Sequence, residues 1–179
     1  MKKRLILLTI LSFIFSSCAM NHHPNLVSRK IPVEQLQKLD IKNPVAIMNN
    51  CQQKGDIDFC KLVIVHHFWS DYYKVTDIAT NILTDAISQM GIQESKNAEK
   101  KLKLSIDKVS CREGAWLFEI SVVLNVELSD GRKFQFVDEQ KFGNAYALTP
   151  AFELAIRECI IKLLKNDQIL SFFSKPVAS

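Results

Sequence analysis

Apolar positions in this chain recur with two different periods, and each change of period marks an element. Val75, Ile78, Ala79, Ile82, Leu83, Ala86, Ile87 and Met90 follow at steps of three and four, which puts all eight on one face of a helix. Ser70 or Asp71 stands where an N-cap is wanted, and Gly91 where a left-handed residue stops the helix. Leu102, Leu104 and Ile106 then alternate with Lys103, Ser105 and Asp107, the period of a strand with one wet face. After a turn at Arg112-Glu113-Gly114, a longer strand places Trp116, Phe118, Ile120, Val122, Leu124, Val126 and Leu128 on one face. Ser129-Asp130-Gly131-Arg132 turns the chain into a third strand through Phe134 and Phe136. Matching apolar to apolar faces requires a three-residue loop, which predicts Ser129 opposite Lys133 and Gly131 in the left-handed region.

Thr149-Pro150 predicts the start of a last helix, with Thr149 as N-cap and Pro150 in the first helical position. Its buried stripe is Phe152, Ala155, Ile156, Cys159, Ile160 and Leu163, and Glu153 and Glu158 fall on the wet face. Earlier in the chain, the continuous apolar run Leu62-Val63-Ile64-Val65 predicts a central strand buried on both faces, and Val45–Met48 a short one. The tail Ile169-Leu170-Ser171-Phe172-Phe173 either packs on the core or docks on another chain, which makes Phe172 and Phe173 candidate partner-docking residues. Strand, helix, three strands, helix is the order of an α+β fold. The expected form is a two-layer sandwich of an antiparallel or mixed sheet with helices on one face.

The first 17 residues have a different logic. Lys2, Lys3 and Arg4 precede the apolar run Leu5–Phe15 and two serines, the anatomy of an export signal. The run is shorter than the about 20 residues a membrane-spanning helix needs. Phe15-Ser16-Ser17-Cys18 resembles the lipobox of bacterial lipoproteins. That resemblance implies a leader over 1–17, an acylated Cys18 as the new N-terminus, and a tether over 18–43. A single periplasmic domain over 44–173 and a short tail over 174–179 complete the expected organisation. Residue 19 is Ala where Asp would signal inner-membrane retention, so the resemblance implies the outer membrane, on its periplasmic face.

Charge follows from this division. The leader takes three of the 23 Lys and Arg and none of the 19 Asp and Glu, leaving 20 against 19. A mature net charge of +1 gives no electrostatic footprint for nucleic acid. Four cysteines remain beyond Cys18, an even number suited to disulfides in an oxidising compartment. Cys51 and Cys60 flank a short polar stretch and are the candidate disulfide pair. Cys111 and Cys159 either pair with each other or serve as small buried hydrophobes. A zinc site from Cys51, Cys60, His66 and His67 matches no common ligand spacing, so no metal is expected.

No G-x-S-x-G, HExxH or Gly-rich phosphate loop occurs, so no catalytic residue and no cofactor are assigned. Asp138 and Glu139 read as solvated or edge-protecting charges. The helix from Val75 to Gly91, the Leu-x-Leu-x-Ile strand, the meander and Ala151…Ala155-Ile156…Cys159 resemble the small YajG-like lipoproteins. They also resemble, more loosely, the auxiliary lipoproteins of envelope ABC transporters. The resemblance spans about residues 60–170 and assigns no functional residue. It implies a non-catalytic structural or accessory subunit of an envelope complex, anchored in the membrane by its lipid and bound to other envelope proteins. The alternatives are a component of a type IV secretion outer-membrane core and a periplasmic carrier of lipid or small ligands.

Overall fold

The computed structural model describes residues 20–36, 43–62, 66–114 and 116–174. Among them, the strands are β1 (Met20–His22), β2 (Val45–Asn49), β3 (Asp56–Leu62), β4 (His66–Asp71), β5 (Lys100–Glu113), β6 (Phe118–Leu128) and β7 (Lys133–Phe142). Helix α1 (Tyr72–Gln89) follows β4, and α2 (Leu148–Leu164) and α3 (Asp167–Ser174) close the chain. The fold is α+β, with its helices on one face of the larger sheet, but it holds two sheets where the apolar pattern predicts one. The larger has the order β2-β5-β6-β7, an antiparallel meander with β2 added in parallel beside β5. The smaller has the order β1-β4-β3.

Of the expected strand Leu62–Val65 only Leu62 is described: it ends β3 and pairs with His66 of the antiparallel β4. Residues 63–65 lie outside the described residues.

The clearest sequence signals are met. Asp71 is the cap of α1, its Oδ1 accepting from the backbone N–H groups of Tyr73 and Lys74 at 2.9 and 3.3 Å. Gly91 has a φ of 88°, and Ile92 N–H donates to the Ile87 carbonyl at 2.9 Å, which ties off the helix end. Between β6 and β7 the loop has three residues and Gly131 is left-handed at φ 88°. Its closing pair is Leu128 and Arg132, one position earlier than Ser129 and Lys133. The register therefore shifts while the parity of the faces is kept.

Helix α2 begins earlier than Thr149. Asn144 caps a short 3-10 turn, accepting from Ala147 N–H at 3.1 Å, and that turn runs into α2 at Leu148. Pro150 remains in the first turn, where a missing N–H costs nothing. The predicted stripe of α2 is buried throughout. It packs on β6 and β7, and α1 packs on β2 and β5. Leu102, Leu104, Ile106, Ile120, Val122 and Leu124 fill the space beneath the helices.

Strand β5 outlasts its parallel neighbour. Asn50 N–H still bonds the Leu104 carbonyl at 2.7 Å, and then β2 has ended. Side chains take over that edge. Thr76 Oγ1 accepts from Ile106 N–H at 2.9 Å, and the Tyr72 hydroxyl bonds both the N–H and the carbonyl of Val109. A bulge between Ile106 and Lys108 accompanies the change.

The tail is a helix and belongs to the core. Phe172 is 6% exposed and Phe173 0%, so neither is available for docking, and their candidacy as partner contacts falls. Buried Lys100 donates from Nζ to the Phe173 carbonyl at 2.8 Å, fixing α3 to the start of β5.

Candidate functional site

Cys18 and the leader lie outside the described residues. What is described begins two residues later, and it is not a free tether. Met20–His22 pairs in parallel with His66–Phe68, adding β1 to the edge of the smaller sheet. His22 adds side-chain contacts to this pairing: its ring stacks on Phe68 at 4.7 Å between centroids, and its Nε2 shares a hydrogen bond with His66 Nδ1 at 2.8 Å. Burial lowers the pKa of His22, and the neighbouring His66 lowers it further. Asn21 accepts from the Trp69 indole at 3.3 Å, and His23 lies 3.7 Å from Asp56.

The arm continues across the helices. Val27 N–H donates to Glu153 Oε1 at 3.0 Å, Arg29 pairs with Glu153 Oε2 at 2.7 Å, and Ile31 is inserted into the core. Glu153 is therefore buried, not on a wet face as its helical position suggests. Residues 20–36 of the expected tether are seated on the domain. Residues 37–42 lie outside the described ones.

The cysteines are paired differently from expectation. Cys60 of β3 is bonded to Cys111 of β5, with 5.1 Å between their Cα atoms, so the bond joins the two sheets. Cys51 is a buried free thiol whose Sγ contacts the Ile106 carbonyl at 3.8 Å. The Cys51–Cys60 pair is thus corrected: the polar stretch between them carries β3 away along β5, and Cys111 is what Cys60 meets. Cys159 is also free and buried, with its thiol pushed up to about 12 by burial and by the nearby Asp138 carboxylate. Such a thiol is inert at neutral pH.

His66 and His67 have structural partners, His67 donating to Asp58 at 2.9 Å. Asp138 is buried as well, in an ion pair with Lys162 at 2.7 Å. Its carboxylate ties β7 to α2 instead of facing solvent. Among the described residues no group of three or more His, Cys, Asp or Glu side chains is disposed to hold a metal ion, and no helix is long and apolar enough to cross a membrane.

One end of the molecule carries large exposed apolar side chains. Trp116 stands at the tip of the β5–β6 hairpin, 92% exposed, with half-exposed Leu117 beside it. The alternation that predicts Trp116 on the buried face fails because β6 starts only at Phe118. Tyr146 follows β7 and is 89% exposed. Around them Arg112 pairs with Glu119 at 2.7 Å, and Lys141 lies opposite Glu119 in the β6–β7 register.

No family model and no curated protein matches this chain. Among solved structures, the chain is similar to protein XCC0632 from Xanthomonas campestris, described as a DUF330 protein. The identity is 15%, covering 85% of this chain and 99% of that one, with a TM-score of 0.49. A protein described only as uncharacterized is similar at 9% identity, covering 84% of this chain and 96% of the other, with a TM-score of 0.35.

Proposed function

We propose that this chain is a lipid-anchored protein of the bacterial outer membrane, facing the periplasm, that acts as a non-catalytic accessory subunit of an envelope complex. The observation that carries this reading is the sequence Phe15-Ser16-Ser17-Cys18 closing a charged and then apolar leader, with a folded chain beginning at Met20. Acyl chains contribute about 0.8 kcal/mol per buried methylene, so two or more of them hold a protein of this size on a bilayer. Partner-binding surface remains after Phe172 and Phe173 are withdrawn. Strand β7 is an edge of the larger sheet, ten residues long, and away from the Val137 carbonyl, to which Lys162 donates at 2.7 Å, a partner strand would dock on it. The carrier alternative needs a groove between helices and sheet, and Leu104, Val122, Leu124, Ile156 and Cys159 fill that space.

Native mass spectrometry after gentle detergent extraction from the producing membranes tests the proposal. The expected spectrum shows acylated Cys18 within a heteromeric assembly. A lone acylated chain with an additional lipid mass would replace the accessory reading with the carrier reading, and an unacylated chain would remove the anchor.

A further inference from the structure

We propose that the end of the molecule bearing Met20, Trp116, Leu117 and Tyr146 is a contact surface for the phospholipid bilayer that holds the Cys18 acyl chains. This rests on the lipid anchor proposed above and adds which way the domain faces.

The chain directions place these residues together. Strand β2 runs parallel to β5, and the contacts continue upward in both numbers: Asn50 with Leu104, Cys51 with Ile106, Cys60 with Cys111. Strand β3 therefore travels along β5 in the same direction, and its Leu62 end lies toward the Trp116 hairpin tip. His66 is paired with Leu62, and Met20 with His66, so β1 starts at that same end and runs away from it. Strand β7 also arrives there, since Phe142 pairs with Phe118, and Tyr146 follows.

Reach decides the occupant. Two residues span at most about 7 Å of extended chain, so Cys18 stays within about that distance of Met20. Acyl chains on Cys18 bring the bilayer surface to the end of the molecule where Trp116, Leu117 and Tyr146 are exposed. Tryptophan and tyrosine are the side chains that favour the water–lipid boundary, with apolar rings and one polar group each. The charges at this end are balanced, Lys61, Arg112 and Lys141 against Asp58, Glu113 and Glu119. Contact is then driven by the rings, and neutral lipid suffices.

The chain has two tryptophans, which makes the test direct. Full-length acylated protein is reconstituted into phosphatidylcholine vesicles, with or without bromine on the acyl chains, and tryptophan emission is read after flotation. In W69F, Trp116 should lose most of its emission in brominated vesicles, at low and high salt alike. In W116F, Trp69 should be nearly unaffected, because three strand residues carry it about 10 Å from the His66 end. Should W69F misfold, the difference between wild type and W116F gives the same quantity. Protein that fails to float would overturn the anchor itself. Protein that floats with Trp116 unquenched would overturn the contact surface alone, including the case in which another protein covers the tip.

Discussion

His22 is held between an aromatic face and a second imidazole, and burial and that imidazole oppose its protonation. Its folded pKa lies below the ordinary 6.5, so the unfolded arm binds the proton more readily. Stability of the β1 attachment is therefore complete above pH 6.5 and declines as pH falls from there through the folded value. His66 of β4 faces His22 directly, and the neighbouring His23 lies 3.7 Å from Asp56. Amide protection factors, corrected for the intrinsic exchange rate at each pH, are expected to be high at Met20–His22 at pH 7.5 and low at pH 5, with those of β5 and β6 unchanged. His22→Phe should abolish that pH dependence. These contacts were not legible in the sequence, where His22 and His23 stand in a polar, proline-punctuated stretch. Glu153 and Asp138 hide in the same way: each sits at a position that periodicity reads as wet, and each is buried by a cation from elsewhere in the chain, Arg29 or Lys162. Periodicity reports which face a residue occupies but not whether a distant segment will cover it.

Elements with internal signals were readable, and those that depend on a partner were not. Helix α1 carries its own stripe, cap and glycine stop, and the β6–β7 loop its left-handed glycine. Helix α3 has only eight residues, too few to be stable in isolation, so its sequence shows an apolar cluster whose destination is open. The fold supplies the destination. Phe173 is fully buried, and Phe173→Ala should cost about 3–5 kcal/mol, the usual range for emptying a core aromatic site. Urea unfolding checks this, and the folded variant should still join its assembly in native mass spectra. A variant of undiminished stability that no longer assembles would return Phe173 to the docking surface.

At the scale of the whole molecule, the division into two sheets escaped the sequence because its cause is an edge that side chains occupy. Thr76 and Tyr72 satisfy β5 where a strand would otherwise pair, and β3 turns to β4 instead. The Cys60–Cys111 bond then spans the gap, closing 51 residues of chain. Loop-closure entropy gives such a link about 4 kcal/mol, so Cys111→Ser should lower the unfolding free energy by about that much in an oxidising buffer. In a reducing buffer wild type and variant should converge. The same bond has a consequence for biogenesis. Under the export proposed above, the chain delivers Cys51 and Cys60 to the oxidising side while Cys111 is still behind the membrane. The two early thiols are nine residues apart and meet first. The covalent pair favoured during translocation is thus not the native one, and oxidation alone would strand the chain there. On that proposal, maturation requires a thiolate to attack that first bond and pass Cys60 on to its late partner, a demand for disulfide isomerisation set by the order of the cysteines.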